Sequence, residues 1–366
     1  MTIDRPEIFF ERIHPYKGGD GSVVLERLLN KKPQRMLVPP RELEILSRRI
    51  YNLKDVRFST GCFSGLPLLL NMRSTSCCTV RIPKSQGNQT FHIVTMRLDR
   101  SGIPLCSVCV DDGRELTFIW TFESPIQKRE FFDAHIIQNT IKEKIEEFSP
   151  TQDSADLSSL IPFVGSQNSK TGVHAAPRHI GKSYSKEFLR EKILDLTPAS
   201  KRDKHLRNAG LLLELQSLFD SRWWAISSSP EQCKNWVLFF GVALSPFCSP
   251  KQMELELKAI SESIEQKPWR DIKEKYKGII GSITSSCHDG FIKYNGSIYS
   301  VYAPHWPEWV KGALSISNDE ISDLDLKLLS GEASLSPHLS NPTRRFLPVG
   351  NWEFVPESRF LLKKVS

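Results

Sequence analysis

Between Arg178 and Arg207 the chain places nine Lys or Arg residues, among them Arg178, Lys182, Lys201 and Arg202, against four Asp or Glu, with His179 and His205 in the same span. A local excess of positive charge can line a groove that follows a phosphate backbone, because each cation that meets a phosphate releases condensed counter-ions. The same composition also suits a solvated helix face and loop. Aromatic residues stand beside cations in two further places, Trp223 and Trp224 next to Arg222, and Trp306 and Trp309 near Lys311. Such pairs either stack unpaired bases or fill a core. Cys106 and Cys109 form a CxxC, but residues three apart on an extended segment point to opposite faces. No second CxxC or CxxH pair is available in the sequence to complete a tetrahedral zinc set. The eight cysteines read as reduced, mostly buried thiols, in a chain long enough to fold without disulfide staples.

The elements that must position these residues follow from length and periodicity. At 366 residues, with 39% hydrophobic and 25% charged, the chain holds two domains of ordinary size, and its formal net charge of +7 permits nucleic-acid binding without requiring it. No apolar run approaches the roughly 18 residues that cross a bilayer, and the N-terminus MTIDRPEIFFER is not a signal peptide. A cytoplasmic protein with no membrane partner is expected. Residues 1–40, punctuated by KGGDG and PPRE, read as an irregular lead-in. Residues 41–172 read as an α+β core: a helix over PRELEILSRRIYNL, several strands from Val56 to about Phe122, and an amphipathic helix from Lys128 to Phe148. The Gly-, Ser- and base-rich stretch Gly165–Ser185 reads as a loop and linker, within a basic linker and helix over 173–207. Residues 208–290 read as a helical domain, in which Met253, Leu257, Ile260 and Ile264 trace one apolar stripe. Residues 291–366 begin with a hairpin, since Asn295-Gly296 suits a two-residue type I′ turn.

Three segments then add a resemblance. VTMRLDRSGIPLC, DDGRELTFIW and DLSSLIPFVGSQNSKTG follow one another in that order. In order and spacing they resemble the archaeo-eukaryotic-type primases carried by plasmids, phages and integrative elements. There, a strand bears two acids two apart, a D-S-G-R-G-x-H segment runs into a strand ending in Trp, and a D-x-x-R-x-x-R-x-x-G-x-x-N-x-K-x-G segment follows. The resemblance covers roughly residues 40 to 335, since Lys234–Ile283 is similar to the small helical domain that follows many such primases. It implies a primase-like mixed α/β core with a central antiparallel sheet. It also implies nucleotidyl transfer, in which converging carboxylates hold Mg²⁺ or Mn²⁺ to neutralise the triphosphate and activate the attacking 3′ oxygen. On the matching positions the first acid is replaced by Arg97 and the second is Asp99, both expected on one strand face. The family's histidine falls on Thr117. Arg114 is retained, as are Asp156, Gly165, Asn168, Lys170 and Gly172, while Ser159 and Pro162 replace two arginines. The implied metal ligands are therefore Asp99 and Asp156, with Asp111 or Asp112 recruited as a third acid. A guanidinium repels a divalent cation, so Arg97 is expected either to hold a phosphate, as Arg114 and Lys170 are, or to pair with Asp99.

The resulting expectation is a primase-like replication protein of a mobile genetic element. It binds DNA, single-stranded or at a replication origin, with priming lost or impaired. Arg97, Arg114, Lys170, Arg178, Lys182, Lys201 and Arg202 are the expected phosphate contacts. Two alternatives stand beside it. One is an active primase or polymerase with Asp99 and Asp156 as catalytic metal ligands; the other is an interaction module that docks replication proteins. Geometry separates them, because an active site needs Asp111 or Asp112 within a few ångströms of the other two acids, whereas a docking module needs a large exposed apolar patch.

Overall fold

The computed structural model describes residues 6–14, 21–29, 32–85, 87–194, 196–222, 229–286, 290–294, 297–303, 305–331 and 357. Its contacts divide the chain into Met1–Thr197 with Glu353–Ser366, and Pro198–Trp352. The first unit runs α1 (Pro6–Ile13), β1 (Val23–Leu29), β2 (Lys32–Val38), α2 (Leu43–Ile50), β3 (Val56–Ser59), β4 (Gly61–Phe63), β5 (Met72–Pro83) and α3 (Thr90–Arg100). It continues with β6 (Val108–Asp111), β7 (Glu115–Gln127), α4 (Phe131–Lys144), β8 (Leu160–Pro162), β9 (Ala176–Ile180) and α5 (Lys186–Leu194). The stretch read as an irregular lead-in therefore carries a helix and a hairpin. Its second strand lies at a sheet edge and buries only Met36 and Val38, so KPQRMLV opens with four residues that carry no apolar alternation.

Two antiparallel sheets form, one in the order β2-β1-β3-β8 and one in the order β4-β5-β7-β6-β9. Their inner faces share one apolar core. Phe9 and Phe10 of α1, Val23, Leu25 and Phe58 of the first sheet, and Leu46 of α2 join Cys77, Val108, Val110 and Ile119 of the second. Alternation sends Cys78 and Val80 to the opposite face, under α4, where the Cys78 thiol lies 3.1 Å from Ala134 O. Because β4 is three residues long, the N–H of Thr79 has no strand partner on that side and donates instead to Gln138 Oε1 of α4 at 2.8 Å.

Two stretches differ from their sequence reading. Met96-Arg97-Leu98-Asp99 lies in α3 rather than a strand, because Val94 and Leu98 are buried four residues apart and set a helical period. On a helix, residues two apart diverge by roughly 200°, so Arg97 and Asp99 share no face. The Gly165–Ser185 stretch contains β9, the edge strand beside β6. An edge strand with one buried residue, Pro177, tolerates both a proline and a basic composition. Cys106 precedes β6 and Cys109 lies within it. Burial pushes the Cys106 thiol up to about 12 and also raises Cys109 well above the usual thiol value, which leaves both unreactive.

The second unit runs α6 (Ala199–Ser221), α7 (Pro230–Leu244), α8 (Pro250–Glu265), α9 (Trp269–Ser286), β10 (Phe291–Tyr294), β11 (Ser297–Ser300), α10 (Trp306–Ala313) and α11 (Asn318–Asp323). Ser229 and Ser249 cap α7 and α8 by accepting from the backbone N–H of Gln232 and Gln252, each with proline at the first helical position. The stripe Met253, Leu257, Ile260 and Ile264 is buried, as its spacing requires. β10 and β11 pair antiparallel in the register Tyr294↔Ser297, and the Asn295-Gly296 turn between them lies outside the described residues. Glu214 of α6 is buried and accepts from the backbone N–H groups of Leu328 and Leu329 at 2.7 and 2.9 Å, anchoring the segment after α11. No described helix is long and apolar enough to cross a membrane.

Candidate nucleic-acid interface

Three loops of the first unit interlock. The β6–β7 turn is built on Asp112, whose Oδ1 accepts from the N–H groups of Arg114 (2.9 Å) and Glu115 (2.8 Å), while Oδ2 accepts from Asn168 Nδ2 at 2.9 Å. Thr171 Oγ1 donates to Asp112 O at 3.1 Å, closing the clasp between this turn and the 165–174 loop. Gly113 makes the clasp possible. It sits at φ +86°, and a Cβ there would lie 2.7 Å from Val173 Cβ. On its other side the 165–174 loop is held by the turn after α2, through Gln167 N to Leu53 O (2.8 Å), Asp55 N to Gln167 O (2.9 Å) and Ser169 N to Asp55 Oδ1 (2.9 Å).

The clasp sets cations around a short rim. Arg114 and Lys170 are exposed at its two tips. Lys84 follows β5, where its N–H donates to Arg114 O at 3.0 Å and its ammonium lies 3.0 and 3.2 Å from the two Asp111 oxygens. Arg178 of β9 reaches the same carboxylate at 3.5 Å and covers the Phe91 ring at 5.4 Å. Next to the loop, Tyr51 is 56% exposed and stacks on His174 with centroids 5.3 Å apart and planes 12° apart. Asn52 Oδ1 lies 2.6 Å from His174 Nε2 and fixes the ring. An exposed aromatic face beside several cations can stack an unpaired base while its phosphates are held.

The three acids expected to hold a metal are not brought together. Asp99 is exposed on α3, and Arg97 on the same helix pairs with Glu147 at 3.1 Å. Asp111 is spent on Lys84 and Arg178, and Asp112 on three N–H donors. Asp156 is buried near Lys142. Among the described residues no three His, Cys, Asp or Glu converge as a metal site. These side chains do not fit a resident Mg²⁺ or Mn²⁺ ion. Among the remaining expected phosphate contacts, Lys182 lies 5.5 Å over the Tyr184 ring, whereas Lys201 and Arg202 belong to α6 in the other unit. The basic stretch is thus split at Pro198. Trp306 is buried against Phe239 and Trp309 and donates to Ser300 O at 2.7 Å, so it serves the core. Trp223 and Trp224 lie outside the described residues.

A charged cluster that sequence reading passed over lies on the inner face of β5 and β7. Thr79 and Arg81 are the same-face pair on β5, and Arg81 is directly opposite Thr117 in register. The Arg81 guanidinium lies 3.4 Å from Glu115 Oε1 and pairs with Asp153 on its other side. Burial pushes the Asp153 carboxyl up, but Arg81, with Arg57 beyond it, holds it below the usual carboxylate range. The signal was a single arginine inside the apolar run CCTVRIP, and nothing local in the sequence names its partners.

No family model matches the sequence, and no curated protein matches it. A solved structure similar to the chain is the AEP domain of the cyanophage S-2L primase-polymerase (PrimPol). The TM-score is 0.40 and the identity 11%, over 52% of this chain and 97% of that one. At that TM-score no residue role is transferred from it.

Proposed function

We propose that the chain is a primase-like DNA-binding protein that holds single-stranded DNA on the rim of Lys84, Arg114, Lys170 and Arg178, without two-metal nucleotidyl transfer. The observation that carries this reading is the clasped 165–174 loop, which sets Lys170 and the exposed Tyr51–His174 pair beside Arg114. The sequence resemblance supplies the replication setting, and the dispersal of Asp99, Asp111 and Asp156 supplies the loss of polymerisation.

The test is binding of a fluorescent oligothymidine at several salt concentrations. Four phosphate contacts give a slope of log K against log salt of about −2.8 on a single strand, and Arg114→Glu/Lys170→Glu is expected to reduce it to about −1.4. Tyr51→Ala is expected to weaken single-strand binding by about 1–3 kcal/mol and to leave duplex binding unchanged. An unaltered slope in the double variant would remove the rim from the reading. Template-dependent incorporation with Mn²⁺ that disappears in Asp99→Asn/Asp156→Asn would restore the catalytic alternative.

A further inference from the structure

The second unit holds a helical arrangement that the rim does not explain. α7 packs against both α8 and α9, and these two pack on each other. Only Gln266, Lys267 and Pro268 join α8 to α9, and Gln266 turns the chain at φ +53°. The corner is pinned from both sides. Glu262 Oε1 accepts from Trp269 N–H at 2.6 Å, and Glu265 Oε1 accepts from the Tyr276 hydroxyl at 2.5 Å and from Lys275. The β10–β11 hairpin follows and lies against α9, where Ser282 Oγ donates to Lys293 O. Two helices joined by a short corner and braced by a third are the parts of a helix-turn-helix, here with a hairpin beside the second helix.

The second helix is two-sided. Ile272, Tyr276, Ile280 and Ile283 are buried, while Arg270, Lys273, Lys277, Gly278, Gly281 and Ser285 are exposed on the other side. Asp271 and Glu274 share that side, Lys267 precedes it and Lys293 of the hairpin flanks it. Five exposed cations (Lys267, Arg270, Lys273, Lys277 and Lys293) therefore stand against two exposed acids, a formal net of +3. The other charges of the corner are paired internally or buried: Lys275 is held on Glu265, Lys258 lies 2.5 Å from Glu254, and Glu262 is buried. The two glycines add a separate constraint. Glycine inside a helix costs stability relative to alanine, and a Cβ at Gly278 or Gly281 would meet no atom within 4 Å. Gly241 of α7, by contrast, packs on Ile283, which a Cβ would meet at 2.8 Å. Internal packing thus explains Gly241 and leaves the other two as a bare strip beside the cations. We propose that α9 lies in the major groove of duplex DNA, with Arg270, Lys273 and Lys277 on phosphates, the Gly278–Gly281 strip against the groove edge, and Lys293 on the flanking backbone. A major groove about 12 Å wide admits one helix. None of the exposed residues of α9 is aromatic, so this side offers no platform for stacking an unpaired base.

This surface belongs to the unit that does not carry the rim, and the two are tested separately. Anisotropy titrations of the full chain use a fluorescent duplex of about 20 base pairs, roughly two helical turns, and the oligothymidine. Lys273→Gln/Lys277→Gln is expected to lower duplex affinity on the order of tenfold, to make the slope of log K against log salt shallower by about 1.8, and to leave oligothymidine binding unchanged. Gly278→Gln/Gly281→Gln separates contact from folding. With no internal atom to meet, it is expected to raise the melting temperature of the second unit while duplex affinity falls about tenfold. Duplex binding equal to the parent's in the glycine variant would overturn the proposal, as would equal losses on duplex and single strand in the lysine variant. Failure of the rim reading is a different result: Arg114→Glu/Lys170→Glu would then leave oligothymidine binding intact, with the α9 variants still defective on duplex.

Discussion

Replacing Arg81 with methionine is expected to lower the unfolding free energy of the first unit by about 3–5 kcal/mol, the cost of leaving a buried carboxylate without its partner. The stranded group is Glu115, which sits on β7 with little access to water, whereas Asp153 can turn to solvent. The double variant Arg81→Met/Glu115→Leu removes both charges from the inner face and is expected to recover most of the loss, since an apolar pair of similar volume replaces a buried ion pair at little cost. Urea unfolding of the parent, both single variants and the double gives the coupling directly. Equal losses in the single and double variants would mean that packing around the guanidinium stem, rather than the ion pair, sets the effect.

Acidification is expected to destabilise the first unit and to spare the second. In the first unit, burial drives the His14 imidazole down to about 4, against the backbone at Ser59. A histidine depressed in the fold contributes stability above its unfolded value near 6.5, and that stability is lost as pH falls from there towards 4. At about 1.4 kcal/mol per unit the loss reaches roughly 3 kcal/mol. His205 in the second unit is likewise lowered to about 4 by burial and by Lys201. Glu214 acts in the opposite sense. Burial pushes it up to about 7, with Asp325 adding to the shift and the two backbone donors opposing it, so the fold gains stability as pH falls from 7 towards 4.5. The two effects largely offset each other. Calorimetric melts between pH 7.5 and 4.5 should show one transition moving down and one holding still. His14→Gln is expected to flatten the first, and Glu214→Gln to make the second acid-labile by unmasking His205. Parallel movement of both transitions in the parent would contradict this assignment.

Much of the second unit was legible in the sequence because its helices declare themselves locally. Pro230 and Pro250 follow serine caps, and the stripe from Met253 to Ile264 keeps a helical period throughout. The α+β character of the first unit was legible for the same reason. What failed was any inference that needed a partner distant in sequence. Arg97 and Asp99 were set on a strand by analogy with a motif, although the Val94 and Leu98 spacing already pointed to a helix. β9 was hidden because a solvated edge strand has no alternation to betray it. At the site, the order of the DDGR and NSKTG segments did anticipate two loops that meet, through Asp112 and Asn168. The Tyr51–His174 pair and the Arg81 cluster join residues more than a hundred and about seventy positions apart respectively, and no local pattern encodes such contacts.

The connectivity of the two sheets governs the order in which the protein assembles during synthesis. β3 waits for β8, about a hundred residues later, and β6 waits for β9. The first sheet is complete only when residue 162 has left the ribosome, and the second only when residue 180 has. Even then the carboxylate of Glu357, which pairs with Arg49 of α2, is still to be made. In the helical unit α7 to α9 pack on neighbours close in sequence, but Glu214 of α6 must wait for the backbone of Leu328 and Leu329. The first unit is therefore the one that leaves strand edges unpaired on the nascent chain, with β3 open on one side until β8 emerges and β6 until β9 does.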